Sequence, residues 1–105
     1  MNRQIRFTHA AEIDYYESLA WYEAREAGLG TRFEQVIEEA VRRIREQPER
    51  FRATGIRFRN YLLRKMVVQR FPFAIFFVVT SIEVFVLAVF HTSRDPREVA
   101  DRMAQ

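Results

Sequence analysis

Hydrophobic and polar positions alternate at the start of the chain. Over Arg3–Phe7, Ile5 and Phe7 fall on one side and Gln4 and Arg6 on the other, the pattern of a half-buried strand. Thr8 then suits the cap of a helix over about His9–Ala27, because its hydroxyl can accept from a free amide of the first turn. That helix carries an apolar stripe of Ile13, Tyr16, Ala20, Ala24 and Ala27, at spacings of three and four, with Tyr15, Leu19 and Tyr22 widening it. Its remaining side is acidic: Glu12, Asp14, Glu17, Glu23 and Glu26 oppose Arg25 alone.

Gly28-Leu29-Gly30 breaks the helix, and Thr31-Arg32-Phe33-Glu34 fits a capping box at the start of the next one. Phe33, Val36, Ile37, Ala40, Val41 and Ile44 form an unbroken stripe, Glu38–Arg42 and Glu39–Arg43 supply pairs four residues apart, and Pro48 ends the helix. A tight turn between two helices makes them antiparallel neighbours. In residues 49–61, Ile56 and Phe58 alternate with Arg57 and Arg59, as in an extended approach to the next strand. Leu62–Val68, Phe73–Val79 and Glu83–Phe90 then predict three strands with short connections, an antiparallel meander. The expected fold is a single α+β domain spanning 1–105, in the order β-α-α-β-β-β. A twisted antiparallel sheet packs on an antiparallel two-helix hairpin.

The last two strands are apolar on both sides. Ile75, Phe77 and Val79 oppose Ala74, Phe76 and Val78, while Val84, Val86 and Ala88 oppose Phe85, Leu87 and Val89. A two-helix layer covers one face only, so the other needs a second cover. Arg97–Gln105 is short and polar, with Val99, Met103 and two alanines to offer. A partner protein or self-association is expected there, and the alternative is that 49–61 folds back over the sheet.

Composition narrows the chemistry. The chain has no cysteine and two histidines, His9 and His91, which excludes disulfides, thiolate zinc sites and a histidine-rich metal site, and no cofactor is called for. Phe73–Phe90 is mostly apolar, but Thr80, Ser81 and Glu83 interrupt it, so it does not read as a membrane span. The polar start MNRQIRF is no signal peptide, and a cytoplasmic protein is expected. From Arg42 to Arg70, ten basic residues face Glu46 and Glu49, a net of +8 in a chain of net +3, so the remainder sums to −5. Nearly all are arginines, whose planar forks pair with phosphate or carboxylate. The same composition also suits a solvated surface.

The stretch FHTSRDP at 90–96 brings His91, Arg94 and Asp95 together. As chemistry, His91 would be a general base and Arg94 a phosphate clamp. As structure, Phe90 closes the core, His91 bonds to backbone, Arg94 pairs with a nearby carboxylate and Asp95-Pro96 makes a turn. With no second acid–base residue alongside, the stretch is read as a strand-ending turn.

Segments spread along the chain resemble the RelE/ParE superfamily of bacterial toxins from toxin–antitoxin pairs. They are AAEIDYYESLAWYEA (Ala10–Ala24), GLGTRF (Gly28–Phe33), PERF (Pro48–Phe51), RFPFAIFF (Arg70–Phe77) and VLAVFHTSRDP (Val86–Pro96). The resemblance implies neutralisation by an antitoxin whose extended and helical C-terminal region wraps the toxin, with Tyr15, Leu19, Tyr22 and Phe76 as contacts. RelE-like members are ribosome-dependent ribonucleases, whereas ParE-like members poison DNA gyrase. A ribonuclease here would use Lys65, Arg70, His91 and Arg94. Yet Ala74 and Ala100 fall where such nucleases carry arginine and a C-terminal tyrosine, so the resemblance is closer to ParE. It then implies a growth inhibitor that binds gyrase, with Arg57, Arg59, Arg64 and Arg94 on the target surface. The alternatives are a RelE-type endoribonuclease and a non-toxic member that serves only to bind an antitoxin.

Overall fold

The computed structural model describes residues 3–58 and 60–103, so the expected target residue Arg59 lies outside the described residues. The elements are β1 (Gln4–Phe7), α1 (His9–Arg25), α2 (Leu29–Glu46), a 3₁₀ turn (Pro48–Arg50), β2 (Arg52–Phe58), β3 (Tyr61–Val67), β4 (Phe73–Val79), β5 (Glu83–His91) and α3 (Arg97–Met103). The sheet order is β1-β5-β4-β3-β2.

Thr8 caps α1 as its residue type predicts, its hydroxyl accepting from the Ala11 N–H at 3.2 Å. The turn into α2 is built differently from the expected capping box. Gly28, at φ 89° in the left-handed region that suits glycine, precedes a helix already running at Leu29, so Thr31 lies inside it. The Glu23 carboxylate reaches forward from α1 and accepts from the N–H groups of Gly28 and Gly30, at 3.0 and 2.9 Å. A side chain at Gly30 would meet Glu23 Cβ at 2.9 Å, so the close approach needs glycine. On α2 the ion pairs centre on Arg42, which holds Glu39 and Glu46, the latter at 2.7 Å.

Three departures from the sequence reading concern the sheet. First, 52–58 is a strand rather than an approach segment, and its register against β3 shifts between Ala53 and Arg57. Thr54 staples the irregularity: its hydroxyl donates to the Leu63 carbonyl and accepts from the Ile56 N–H. Second, β1 pairs parallel with β5, Ile5 opposite Val84 and Phe7 opposite Val86, so the sheet is mixed rather than wholly antiparallel. Third, the β4–β5 register shifts between Phe76 and Phe77, where Phe76 faces Ala88 and Phe77 faces Val86. The extra residue, Leu87, reverses the alternation. Ala88 therefore joins the opposite face from Val84 and Val86, against expectation.

Each face of the sheet has its own apolar cluster. On the hairpin side Phe33, Ile37, Ala40 and Ile44 of α2 pack on Phe73, Ile75, Phe77, Val84 and Val86. On the other side Leu63, Ala74, Phe76, Val78, Ala88 and Phe90 pack with Val99 and Met103 of α3. Phe76 is 3% exposed and Phe90 1%. The expectation of a bare second face is corrected here: α3, which the sequence reading did not predict as a helix, seals that part of the sheet, with Ile56 of β2 beside it. No helix among the described residues is long and apolar enough to cross a membrane, and Phe73–Phe90 is the β4–β5 hairpin.

Candidate interaction surfaces

Helix α1 is turned relative to its expected orientation. Ala11, Tyr15, Leu19 and Tyr22 face the core, and the stripe Ile13, Tyr16, Ala20, Ala24 faces outward. Ile13 is 43%, Tyr16 63% and Trp21 55% exposed. Bulk explains the choice. The rings of Tyr15 and Tyr22 lie 6.0 and 5.3 Å from Phe33, and Tyr22 also meets Phe71 and Phe73 edge-on, so this stripe brings two rings and a leucine to the core where the stripe of Ile13, Tyr16, Ala20 and Ala24 would bring one ring. The outward face is left with a row of apolar groups, and Arg25 stacks on Trp21 at 4.5 Å.

Beside that row lies an open cleft between α1 and α2, of about 660 Å³. Its floor is Tyr15, Tyr16, Ile37 and Val41, and its rim carries Glu12, Glu34 and Glu38 together with Arg42 and Arg45. Burial, followed by the charges of Glu34 and Glu38, pushes the Tyr15 phenol up to about 12. It stays neutral at physiological pH. Of the expected antitoxin contacts, Tyr15 therefore borders the cleft, Leu19 and Tyr22 pack against the core, and Phe76 is buried beneath α3.

A polar clamp, missed in the sequence, joins the two layers across the edge of β5. Asp14, expected on the solvated side of α1, is 8% exposed. Its carboxylate accepts from the Val89 N–H at 3.0 Å and from both terminal nitrogens of Arg102 at 2.6 and 2.9 Å. Arg102 also donates to the Leu87 carbonyl and lies over the Phe90 ring at 4.7 Å. The Asp14 carboxylate holds the Arg102 guanidinium's proton more tightly than usual. Register pairing of β1 with β5 runs from Glu83 to Val86, so the clamp occupies the stretch of β5 just beyond β1.

The stretch after β5 is organised by its own turn. His91 Nδ1 accepts from the Ser93 N–H at 3.1 Å and contacts the Ser93 hydroxyl at 2.8 Å, while its ring meets Phe73 edge-on. Arg94 pairs with Glu98 at 2.9 Å and stacks on Phe90 at 3.7 Å. Asp95 accepts from the Arg97 N–H and side chain, and that bonding lowers its carboxyl below the usual range. Of the four residues a ribonuclease would need, His91 and Arg94 share one turn, which bonds through the Thr92 N–H to the Pro72 carbonyl near Arg70, but the side chains divide between the two faces. His91 lies against Phe73 of the hairpin-side cluster, and Arg94 lies over Phe90 of the α3-side cluster. Lys65 stands opposite Phe76, hence on the α3 side, and Arg70 lies on the β3–β4 turn. Arg64 donates to the carbonyls of Glu49 and Phe51, tying down the 3₁₀ turn, and Arg57 is exposed on β2. Among the described residues no group of three or more His, Asp or Glu side chains is placed to hold a metal ion.

The family model described as ParE toxin of type II toxin–antitoxin system, parDE, matches residues 5–96. The chain belongs to the ParE toxin family. Its fold is similar to that of a chain in the solved structure of the chromosomal ParDE toxin–antitoxin system from P. aeruginosa, with a TM-score of 0.69. That likeness has 19% sequence identity and covers 85% of this chain and 95% of the other. No curated protein matches the sequence. In this ParE-family toxin the outward face of α1 and the α1–α2 cleft fall within the matched span, whereas α3 begins at Arg97, just past it.

Proposed function

We propose that the chain inhibits growth by binding an essential target, DNA gyrase, and that a cognate antitoxin neutralises it by docking on the hairpin side. The observation that carries this reading is the exposed row Ile13, Tyr16 and Trp21 beside the α1–α2 cleft. A helix with apolar anchors at spacings of three and four, flanked by charged residues of both signs, suits it, because Glu12, Glu34 and Glu38 share the rim with Arg42 and Arg45. Tyr15 remains a contact at the cleft edge. Leu19, Tyr22 and Phe76 serve the fold.

Action by binding rather than chemistry is supported by the scatter of Lys65, Arg70, His91 and Arg94 over two faces. General acid–base cleavage needs its groups converging on one reacting phosphate. Arg57 and Arg94, exposed on the β2 and α3 sides, remain candidates for the target surface. The test is a gyrase supercoiling assay run beside an in vitro translation reaction. Loss of supercoiling with mRNA intact is the expected outcome. Intact supercoiling with mRNA cut at defined codon positions, abolished by His91→Ala, would overturn this reading in favour of the ribonuclease.

A further inference from the structure

The flank of α2 that faces away from the α1–α2 cleft carries a second groove, of about 780 Å³. It lies between α2 and the turn Gln69–Pro72 that joins β3 to β4. Arg32, Arg43 and Arg70 line it. Among the described residues none of the three has an ion-pair partner, a property they share with Arg25, Arg45, Arg50, Arg52, Arg57 and Arg64. The single carboxylate in the lining, Glu39, is already held by Arg42. The lining also includes the apolar Val36, Met66, Val68 and Phe71, with Gln35 and Gln69 beside them.

One of these arginines sits in a conformation that its backbone disfavours. Arg70 has φ 73°, the one non-glycine residue with positive φ among those described. Its neighbours hold it there. Phe71 packs edge-on against Tyr22 at 4.9 Å and Phe33 at 5.3 Å, and Pro72 follows. Strain retained at a turn that lines a groove points to a use for the side chain it carries.

We propose that this groove docks an acidic peptide segment that sets its carboxylates on the arginines and one bulky apolar side chain on the apolar part of the lining. Guanidinium forks without partners pair bidentately with carboxylates, and the apolar side chains take the anchor. A single-stranded nucleic acid fits less well. Its bases need open aromatic faces, and the two aromatic residues of the lining, Tyr22 and Phe71, are engaged with each other. The inference stands on the groove's own geometry and does not require the gyrase reading.

The test uses the full chain and a fluorescein-labelled peptide of aspartate and glutamate residues around one phenylalanine. Its comparators are the same peptide with Asn and Gln in place of the acids, and a single-stranded RNA oligonucleotide. By anisotropy at low salt, the acidic peptide is expected to bind at least about tenfold more tightly than either comparator, and to weaken as salt rises. Arg43→Gln and Arg70→Gly should each weaken it about tenfold. Thermal melting monitors the fold. Because glycine relieves the positive φ, Arg70→Gly is expected to keep or raise the Tm while losing the peptide. Equal binding of acidic and neutral peptides, or binding indifferent to both substitutions, would overturn the proposal. So would tighter RNA binding with the same arginine dependence, or self-association abolished by Arg43→Gln.

Discussion

One face of the sheet is covered by two helices of 17 and 18 residues, and the other by a helix of 7. The thick cover is secured chiefly by apolar spacing, since Phe33, Ile37, Ala40 and Ile44 repeat every three or four residues and are almost fully buried. The thin cover has Val99 and Met103 for anchors, too few to hold so short a helix by packing. It is fastened instead by Arg102, which reaches the buried Asp14 on the opposite layer. A small domain can therefore close a two-sided apolar sheet with very little chain, provided one buried ion pair replaces the missing hydrophobic area. The thick cover shows the complementary economy. Having buried Tyr15, Leu19 and Tyr22, α1 leaves Ile13, Tyr16 and Trp21 exposed.

The largest effect is expected on the thick side. Phe33→Ala removes a ring that touches Tyr15, Tyr22, Phe71 and Phe73, and should cost about 3–5 kcal/mol in urea unfolding. Next comes the clamp. Asp14→Ala strands Arg102, which keeps some solvent contact, so a loss of about 2–3 kcal/mol is expected, below the full cost of breaking a buried pair. Replacing both partners, as Asp14→Leu with Arg102→Met, should recover most of it. A loss under about 0.5 kcal/mol for Asp14→Ala would mean that α3 is not fastened this way.

A pH scan separates the cleft from both covers. The folded Tyr15 phenol titrates near 12 rather than 10.0, so its neutral form favours the fold. The Tyr15 contribution to stability should be level below about pH 10 and be lost as pH rises toward about 12, and Tyr15→Phe should flatten part of the alkaline fall. Arg70→Gly should stabilise by about 1 kcal/mol through release of the left-handed conformation. Trp21→Ala, on the exposed face, should change stability by less than about 0.5 kcal/mol.

The sequence carried the elements better than their partners. The α2 stripe was unambiguous, because one set of apolar residues had no competitor. On α1 two stripes competed, Ile13–Tyr16–Ala20–Ala24 and Ala11–Tyr15–Leu19–Tyr22, and counting positions favoured the wrong one. Weighing side-chain volume would have chosen the second, since rings fill a core that alanines leave empty. Strand β2 stayed hidden because Arg52, Gly55 and Arg57 resemble a loop, and the bulge at Leu87 leaves no mark in an all-apolar run. Asp14 and Arg102 lie 88 residues apart, so only the fold joins them. Of the candidate site, the turn at His91 was legible in its residue types, whereas the groove of Arg32, Arg43 and Arg70 needs three elements to be assembled.

Trp21 is the only tryptophan, so fluorescence reads the outward face of α1 directly. Titrating the cognate antitoxin while following Trp21 emission, with hydrogen exchange read at Val99–Met103 in the same samples, tests the asymmetry of the two faces. A blue shift of Trp21 with unchanged protection of α3 is expected. Unchanged emission together with loss of α3 protection would put the antitoxin on the other face and contradict the account.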